Sequence, residues 1–301
     1  TNIGNITGNF VGNNARYSFG GAIYNSGTID TITGDLISNS SSGSAGAIAN
    51  YQGTIGDITG DFIGNSALGY GGAIYNYASS KCALGNLSGN FIGNYAISLS
   101  SYSYGGAASL MADVSSFSGD FIENYASGTS ASGGAIYSSC SSYHINSNFI
   151  GNRAIATSST ALGGAIYTLG NINIVADSGT SEFIGNYTDS AGVRDDNAIY
   201  AGGSGARITL NAKNNGTITF NDNIKGYSGY TLKLVGDDTG VINIHNTVSN
   251  AKMTVSDVGK VDFVDGKTRE YNLYSMTSDA GVKYALDIDL TNKKSDKFIM
   301  S

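Results

Sequence analysis

The chain has 301 residues, a formal net charge of -7 and an isoelectric point near 4.7, with 43 glycines, 20 tyrosines and neither proline nor tryptophan. So acidic a chain, with no clustered Lys and Arg, is excluded as a phosphate-backbone binder, because such binding depends on counterion release by basic side chains. Hydrophobic residues at 41% against 13% charged ones exclude a disordered, solvating polymer.

In chain order, the first signal is a repeated phrase. Phe10 and Asn13, Phe62 and Asn65, Phe91 and Asn94, Phe121 and Asn124, Phe149 and Asn152, Phe183 and Asn186, and Phe220 and Asn223 share one spacing; Leu36 replaces phenylalanine before Asn39. Between these copies lies a second phrase, Gly20-Gly21-Ala22-Ile23, which returns as Gly71-Gly72-Ala73-Ile74, Gly133-Gly134-Ala135-Ile136 and Gly163-Gly164-Ala165-Ile166 and degrades to Asn197-Ala198-Ile199. Two phrases alternating in one order, with a repeat of about 25 to 37 residues, mark a repeat architecture.

Ahead of each early copy stands an apolar pair spaced by three: Ile3 and Ile6, Ile29 and Ile32, Ile55 and Ile58, Leu84 and Leu87, Val114 and Phe117. The second member always precedes the motif phenylalanine, or Leu36, by the same distance, so register is constant there. From the motif asparagine to the paired glycines the length varies instead. These segments are too short and too glycine-rich for helices, and Gly, Asn, Ser and Asp supply corners. The economical solution is an all-β, single-stranded parallel β-helix (β-solenoid), one coil per repeat. Equivalent residues then stack at roughly 4.8 Å. Motif phenylalanines are expected to form an internal ring stack, alanines after the glycines an aliphatic column, and asparagines a corner ladder of amides.

Beyond Gly202 the vocabulary changes, which divides the chain into 1–202, with both motifs, and 203–301, a continued β-helix with plainer alternating strands. Of 16 basic residues, only Arg16, Lys81, Arg153 and Arg194 precede residue 201. Arg207-Ile208-Thr209-Leu210, Thr217-Ile218-Thr219-Phe220, Tyr230-Thr231-Leu232-Lys233-Leu234, Val241-Ile242-Asn243-Ile244, Lys260-Val261-Asp262-Phe263 and Ala285-Leu286-Asp287-Ile288-Asp289-Leu290 alternate apolar with polar, the pattern of strands with one buried face. Segment 292–296 reads as a truncated or frayed end.

Cys82 and Cys140 are two coils apart, roughly 10 Å, and are expected to be unpaired thiols. No His, Cys or carboxylate spacing matches a metal site, and no cofactor is expected. No apolar run is long enough for a membrane-spanning helix. Without an initiator methionine or a signal peptide at Thr1, the chain reads as a mature or excised piece of something longer.

The alternation of Phe-x-x-Asn with Gly-Gly-Ala followed by an aliphatic residue resembles the polymorphic outer membrane proteins of chlamydiae, a family of autotransporter adhesins, over roughly residues 1–224. Leu36, Ala108 and Asn197 depart from its motifs. The resemblance implies a right-handed β-helix, secreted as an autotransporter passenger and displayed outside the cell or on a bacterial outer membrane, with membrane contact only through a barrel outside this chain. It implies adhesion through surface loops.

The residues also allow an enzyme reading to be weighed, since β-helices carry polysaccharide-active sites built from carboxylates on adjacent coils. Asp30, Asp35, Asp57, Asp61 and Asp120 lie beside strand corners, where they cap turns or face water. Arg194-Asp195-Asp196 and Asp237-Asp238 read as solvated loops. Asp177-Ser178-Gly179 has the order of a serine nucleophile loop, but His144 and His245 stand in no recognisable triad context. No enzymatic activity is expected.

Function is expected instead on the elastic segments 16–19, 67–70, 95–104, 125–132 and 154–162, emerging one above another from a single flank. Tyr17, Phe19, Tyr70, Tyr95, Tyr102, Tyr104, Tyr125 and Arg153 are the candidate contacts, because tyrosine among serine and glycine gives large contact area at low entropy cost. The alternative is a flank that fills shape and binds nothing. Two functions follow: an adhesive passenger contacting a protein or glycan on a host or neighbouring cell, or a self-associating element of an extracellular fibre or surface layer.

Overall fold

The computed structural model describes residues 2–77 and 83–300. The chain is a parallel β-helix. Among the described residues sheet I has eleven strands, beginning Asn2–Thr7 and Thr28–Thr33 and ending Ala251–Val255 and Ser275–Ser278. Sheet II also has eleven, from Phe10–Val11 to Lys283–Ala285. Sheet III runs from Asn14–Ala15 to Tyr187–Ser190 and closes on an antiparallel strand, Val193–Asp195. Sheet IV runs from Ile23–Asn25 to Asn223–Gly226. Each early coil visits the four sheets in that order. Asn13 meets its equivalent 26 residues on, Asn186 one 36 residues on, and Asn243 one 24 residues back, where sheet III has stopped and coils are shorter.

Local sequence explains each face. In sheet I, Ile55 and Ile58 are three apart yet both buried, which a flat strand of period two forbids. The strand is irregular between them: Ile29 pairs with Ile55 and Thr31 with Asp57, while Gly56 approaches the Asp30 carbonyl so closely that a Cβ would lie 2.0 Å from it. In sheet II the motif phenylalanines point inward and stack. Ring centroids of Phe62, Phe91, Phe121, Phe149 and Phe183 follow one another at 4.6, 4.7, 4.8 and 4.7 Å, nearly coplanar in orientation, and Phe220 follows Phe183 at 4.2 Å. Leu36 continues the column below and Phe10, half-buried, ends it. Ala47, Ala73, Ala107, Ala135, Ala165 and Ala198 fill the opposite side of the core.

At the corner after sheet II the motif asparagines form a buried ladder. Asn94 Nδ2 donates to Asn124 Oδ1 at 3.0 Å and to the Phe62 carbonyl at 2.8 Å, while the Asn94 N–H also donates to Asn124 Oδ1 at 3.0 Å. The same links join Asn13, Asn39, Asn65, Asn94, Asn124, Asn152 and Asn186. In the ladder's interior both amide hydrogens and both oxygen lone pairs are used, so these groups are buried without an orphaned donor or acceptor.

The paired glycines do different work. Gly71 adopts φ +64°, in the left-handed region. A Cβ on Gly72 would lie 2.0 Å from the Gly106 carbonyl oxygen and 2.5 Å from the Tyr95 nitrogen. The first glycine turns the chain; the second lets coils close on each other.

Three expectations change. The eighth motif copy keeps Phe220 in the ring stack, but Asn223 leaves the corner and pairs with Asn197 in sheet IV, while Asp222 takes the ladder position. Segment 285–290 is not a half-buried strand, since Leu286, Ile288 and Leu290 are exposed. The polar side of that alternation prevails: Asp287 Oδ2 accepts the N–H groups of Asp265, Gly266 and Lys267. Segment 292–296 is not frayed. Ile288–Asp289 and Lys294–Ser295 form a hairpin, and buried Asp296 accepts from the N–H groups of Arg269 and Asp287 before Lys297–Met300 pairs with Glu270–Leu273. Cys140 is free and buried, its sulfur 3.0 Å from Ser138 Oγ; Cys82 lies outside the described residues.

Candidate binding flank

In the phrase Gly-Gly-Ala-Ile-Tyr, isoleucine faces the core of sheet IV, and alternation turns the next residue outward. Register then stacks these outward residues: Tyr24 on Ala49, Ala49 on Tyr75, Tyr75 on Ser109, Ser109 on Tyr137, Tyr137 on Tyr167, and Tyr167 on Tyr200. Where the position is small, rings arrive from elsewhere. Tyr51 and Tyr77 add a parallel pair 4.9 Å apart, and Phe19 lies 6.2 Å from Tyr51 and 6.4 Å from Tyr75 beside Ala49. Tyr70 and Tyr104 bridge the gap at Ser109, 5.0 Å apart, with Tyr104 4.4 Å from Tyr137.

The result is an unbroken series of ring contacts on one flank. It runs from Tyr24 through Tyr51, Tyr77, Tyr75, Tyr70, Tyr104, Tyr137 and Tyr167 to Tyr200, each centroid within 4.4 to 6.1 Å of the next. Most neighbours are stacked, so ring faces cover one another; Tyr75 is buried, its hydroxyl 3.9 Å from Met111 Sδ, while Tyr24 is 49% exposed. Burial pushes the Tyr137 phenol up to about 12, with the neighbouring Tyr104 and Tyr167 phenols adding to it. Burial raises Tyr75, Tyr104 and Tyr167 in the same direction. At neutral pH these hydroxyls are therefore protonated, each able to donate and accept.

A second column lies outside sheet III. Tyr95 stacks on Tyr125 at 5.3 Å, the Arg153 guanidinium lies 4.5 Å from the Tyr125 centroid, and Arg194 lies 4.0 Å from that of Tyr187, which pairs in register with Arg153. These cations sit on ring faces, an attraction of about 0.5–1 kcal/mol at exposed sites.

The expected candidates thus divide. Phe19, Tyr70 and Tyr104 join the sheet IV flank, with Tyr102 6.0 Å from Tyr104 at its margin. Tyr95, Tyr125 and Arg153 belong to strands of sheet III, and Tyr17 is 96% exposed. Nor do the longest elastic segments hang free. Tyr102–Tyr104, Ser130–Ser132 and Ala161–Leu162 form a parallel three-stranded wing, packed on sheet III through Ala126, Ala131, Ala154, Ala156 and Ala161. Sequence reasoning missed Tyr24, Tyr51, Tyr75, Tyr77, Tyr137, Tyr167 and Tyr200. For Tyr24, Tyr75, Tyr137, Tyr167 and Tyr200 the signal was the tyrosine directly after the motif isoleucine, which alternation places outside; Tyr51 and Tyr77 lie three residues after it, on the same face.

Of the polar residues weighed for catalysis, Asp35, Asp61 and Asp120 line one corner, directly before sheet II, while Asp30 and Asp57 lie in sheet I. Asp35, Asp61 and Asp120 accept backbone N–H groups one coil on. His144 is bonded to Asn173 and His245 to Asn221, while Ser178 Oγ donates to the Asp177 carbonyl. No protein-family model, curated protein or solved structure matches this chain.

Proposed function

We propose that the chain is a displayed binding rod, the passenger of an autotransporter adhesin at or outside a bacterial surface, whose contact surface is the tyrosine flank of sheet IV. One observation carries this reading: nine rings from Tyr24 to Tyr200 make consecutive contacts along one flank. Ala49 and Ser109 occupy the same register position in neighbouring coils, so the coil itself does not demand tyrosine there. Aromatic residues with a hydroxyl at the tip combine apolar area with hydrogen bonding, which suits a protein or glycan on an opposing cell. Stacking against neighbours already restricts the rings, so less side-chain freedom is lost on contact.

Binding of the purified chain to cultured epithelial cells, to bacterial cells and to an immobilised glycan panel tests the proposal. Wild type is compared with Tyr137→Ala/Tyr167→Ala and with the sheet I control Thr31→Ala/Asp57→Ala. Loss of binding in the tyrosine pair alone supports the reading. Binding that survives in the tyrosine pair, or filaments by electron microscopy with no cell or glycan bound, overturns it in favour of another surface or of self-assembly.

A further inference from the structure

The outer face of sheet II carries a feature independent of the tyrosine flank. The residue after each motif phenylalanine points outward, and register aligns Val11, Ile37, Ile63, Ile92, Ile122, Ile150 and Ile184 in one row. All are half-buried or exposed, with Val11 at 60% and Ile184 at 41%. One position on, Gly64, Gly93, Gly151 and Gly185 present bare backbone, so the row has a flat shelf beside it. On its other side and at that shelf stand Asp35, Asp61, Asp120, Glu123 and Glu182. Among the described residues none of these five carboxylates forms a salt bridge.

A contiguous apolar row on a surface marks an interaction site more often than an isolated exposed isoleucine does. Its acidic border selects the occupant. A second copy laid on the same row would oppose carboxylates with carboxylates, and an anionic lipid surface would do the same. The geometry points to a basic amphipathic α-helix of another protein, lying along the coil axis with one aliphatic residue per turn on the isoleucines and Lys or Arg toward the carboxylates. A helix advances about 5.4 Å per turn against about 4.8 Å per coil, so successive turns stay in step to about 2 Å over four coils. An extended strand repeats its side chains every ~6.8 Å and falls out of step at once. Helix-in-groove recognition uses this anchor spacing.

The probe is a synthetic helix of about 20 residues, leucine once per turn with flanking lysines, and a scrambled peptide of the same composition. Fluorescence anisotropy against the intact chain is expected to show saturable binding at least tenfold tighter for the helix than for the scramble, weakening with salt. Ile92→Thr/Ile122→Thr keeps β-branched residues on the outer face and is expected to weaken binding at least tenfold. Asp61→Asn/Asp120→Asn keeps the acceptor, since Asn90 and Asn148 already serve at that position, and is expected to flatten the salt dependence. Melting of each variant near the wild-type temperature confirms that the fold is intact. No saturable binding, equal binding of the scramble, or indifference to the isoleucine pair overturns the proposal.

Discussion

Asn186 Nδ2 donates to Asp222 Oδ2 at 2.8 Å, and at that contact the asparagine ladder stops. A carboxylate accepts on both oxygens and has no N–H to pass on. Its Oδ2 also takes the Asn186 N–H, and Oδ1 takes the Gly185 N–H at 3.0 Å. Asparagine at 222 would turn its NH2 toward one of these donors. The aspartate therefore ends the ladder without an orphan, although burial raises its pKa by disfavouring the charge.

Asn124 stands in the middle of that ladder, donating to Asn152 Oδ1 and the Phe91 carbonyl and accepting twice from Asn94. Asn124→Ala strands those buried partners, and leaving one buried group unsatisfied costs about 1–3 kcal/mol. Chemical denaturation is expected to show a loss of about 2–4 kcal/mol for Asn124→Ala, since more than one partner is orphaned. At exposed Asn13 the same change is expected to cost less than about 1 kcal/mol. Equal losses at both sites would mean that the ladder contributes through geometry, not through buried amides.

Phe91 is packed between Phe62 and Phe121 and meets Phe117 edge-on at 5.9 Å. Phe91→Ala is expected to lose about 3–5 kcal/mol, because rings above and below are held by their own coils and do not collapse into the gap. Phe10→Ala, at the half-buried end of the column, is expected to lose clearly less. A Phe91→Ala variant melting with wild type would remove the ring stack as the source of core stability.

The residue before each ladder asparagine is in the left-handed region. Glycine serves at 93 and 151, with φ near +60°, but Ser38 and Glu123 adopt +53° and +54°. A side chain there costs about 1–2 kcal/mol, offset by about 0.5–1 kcal/mol of extra chain entropy that glycine loses on folding. Glu123→Gly is therefore expected to stabilise by about 0.5–1 kcal/mol and Gly93→Ala to destabilise similarly. The Gly93 site isolates the backbone effect, because an added Cβ there meets nothing within 4 Å. A melting temperature unchanged in both variants would show that the coil relieves the strain elsewhere.

What the sequence made legible was whatever repeats at constant offset. Phe91, Asn94 and Ala107 recur in step, so their burial and stacking followed from period alone. Asn223 kept the spacing and still left the ladder, because the coil shortens there as sheet III ends and Asp222 can accept from the preceding coil. Tyr137 was equally periodic but was passed over beside the glycines; loop length drew attention to Tyr17 instead. Its neighbour Tyr104 was legible as an elastic-segment candidate, but its place over Ser109 needed three dimensions, since it reaches that gap from a different segment. At 285–290, alternation looked the same whichever side was buried, and only the N–H groups gathered around Asp287 decided it.

The tyrosine flank also sets an alkaline limit to stability. In the folded chain the Tyr137 phenol is raised from its ordinary 10.0 to about 12 by burial first and by its tyrosine neighbours next. Tyr75, Tyr104 and Tyr167 on the flank, and Tyr230 in the core, are raised likewise by burial. The folded state thus holds these protons more tightly than the unfolded state does. For Tyr137 that contribution is complete below pH 10 and is lost as pH rises through about 12, and the other four act in the same direction. Melting temperature is expected to be flat below pH 10 and to fall from there to pH 12, with the buried tyrosines' share of the phenolate absorbance at about 295 nm appearing together with loss of the far-ultraviolet strand signal. Tyr137→Phe keeps the stacked ring but removes one titrating group, so its melting temperature is expected to fall less steeply over that interval. Phenolate formation that completes below pH 11 in a chain still folded would contradict both the burial of these hydroxyls and the neutrality of the flank.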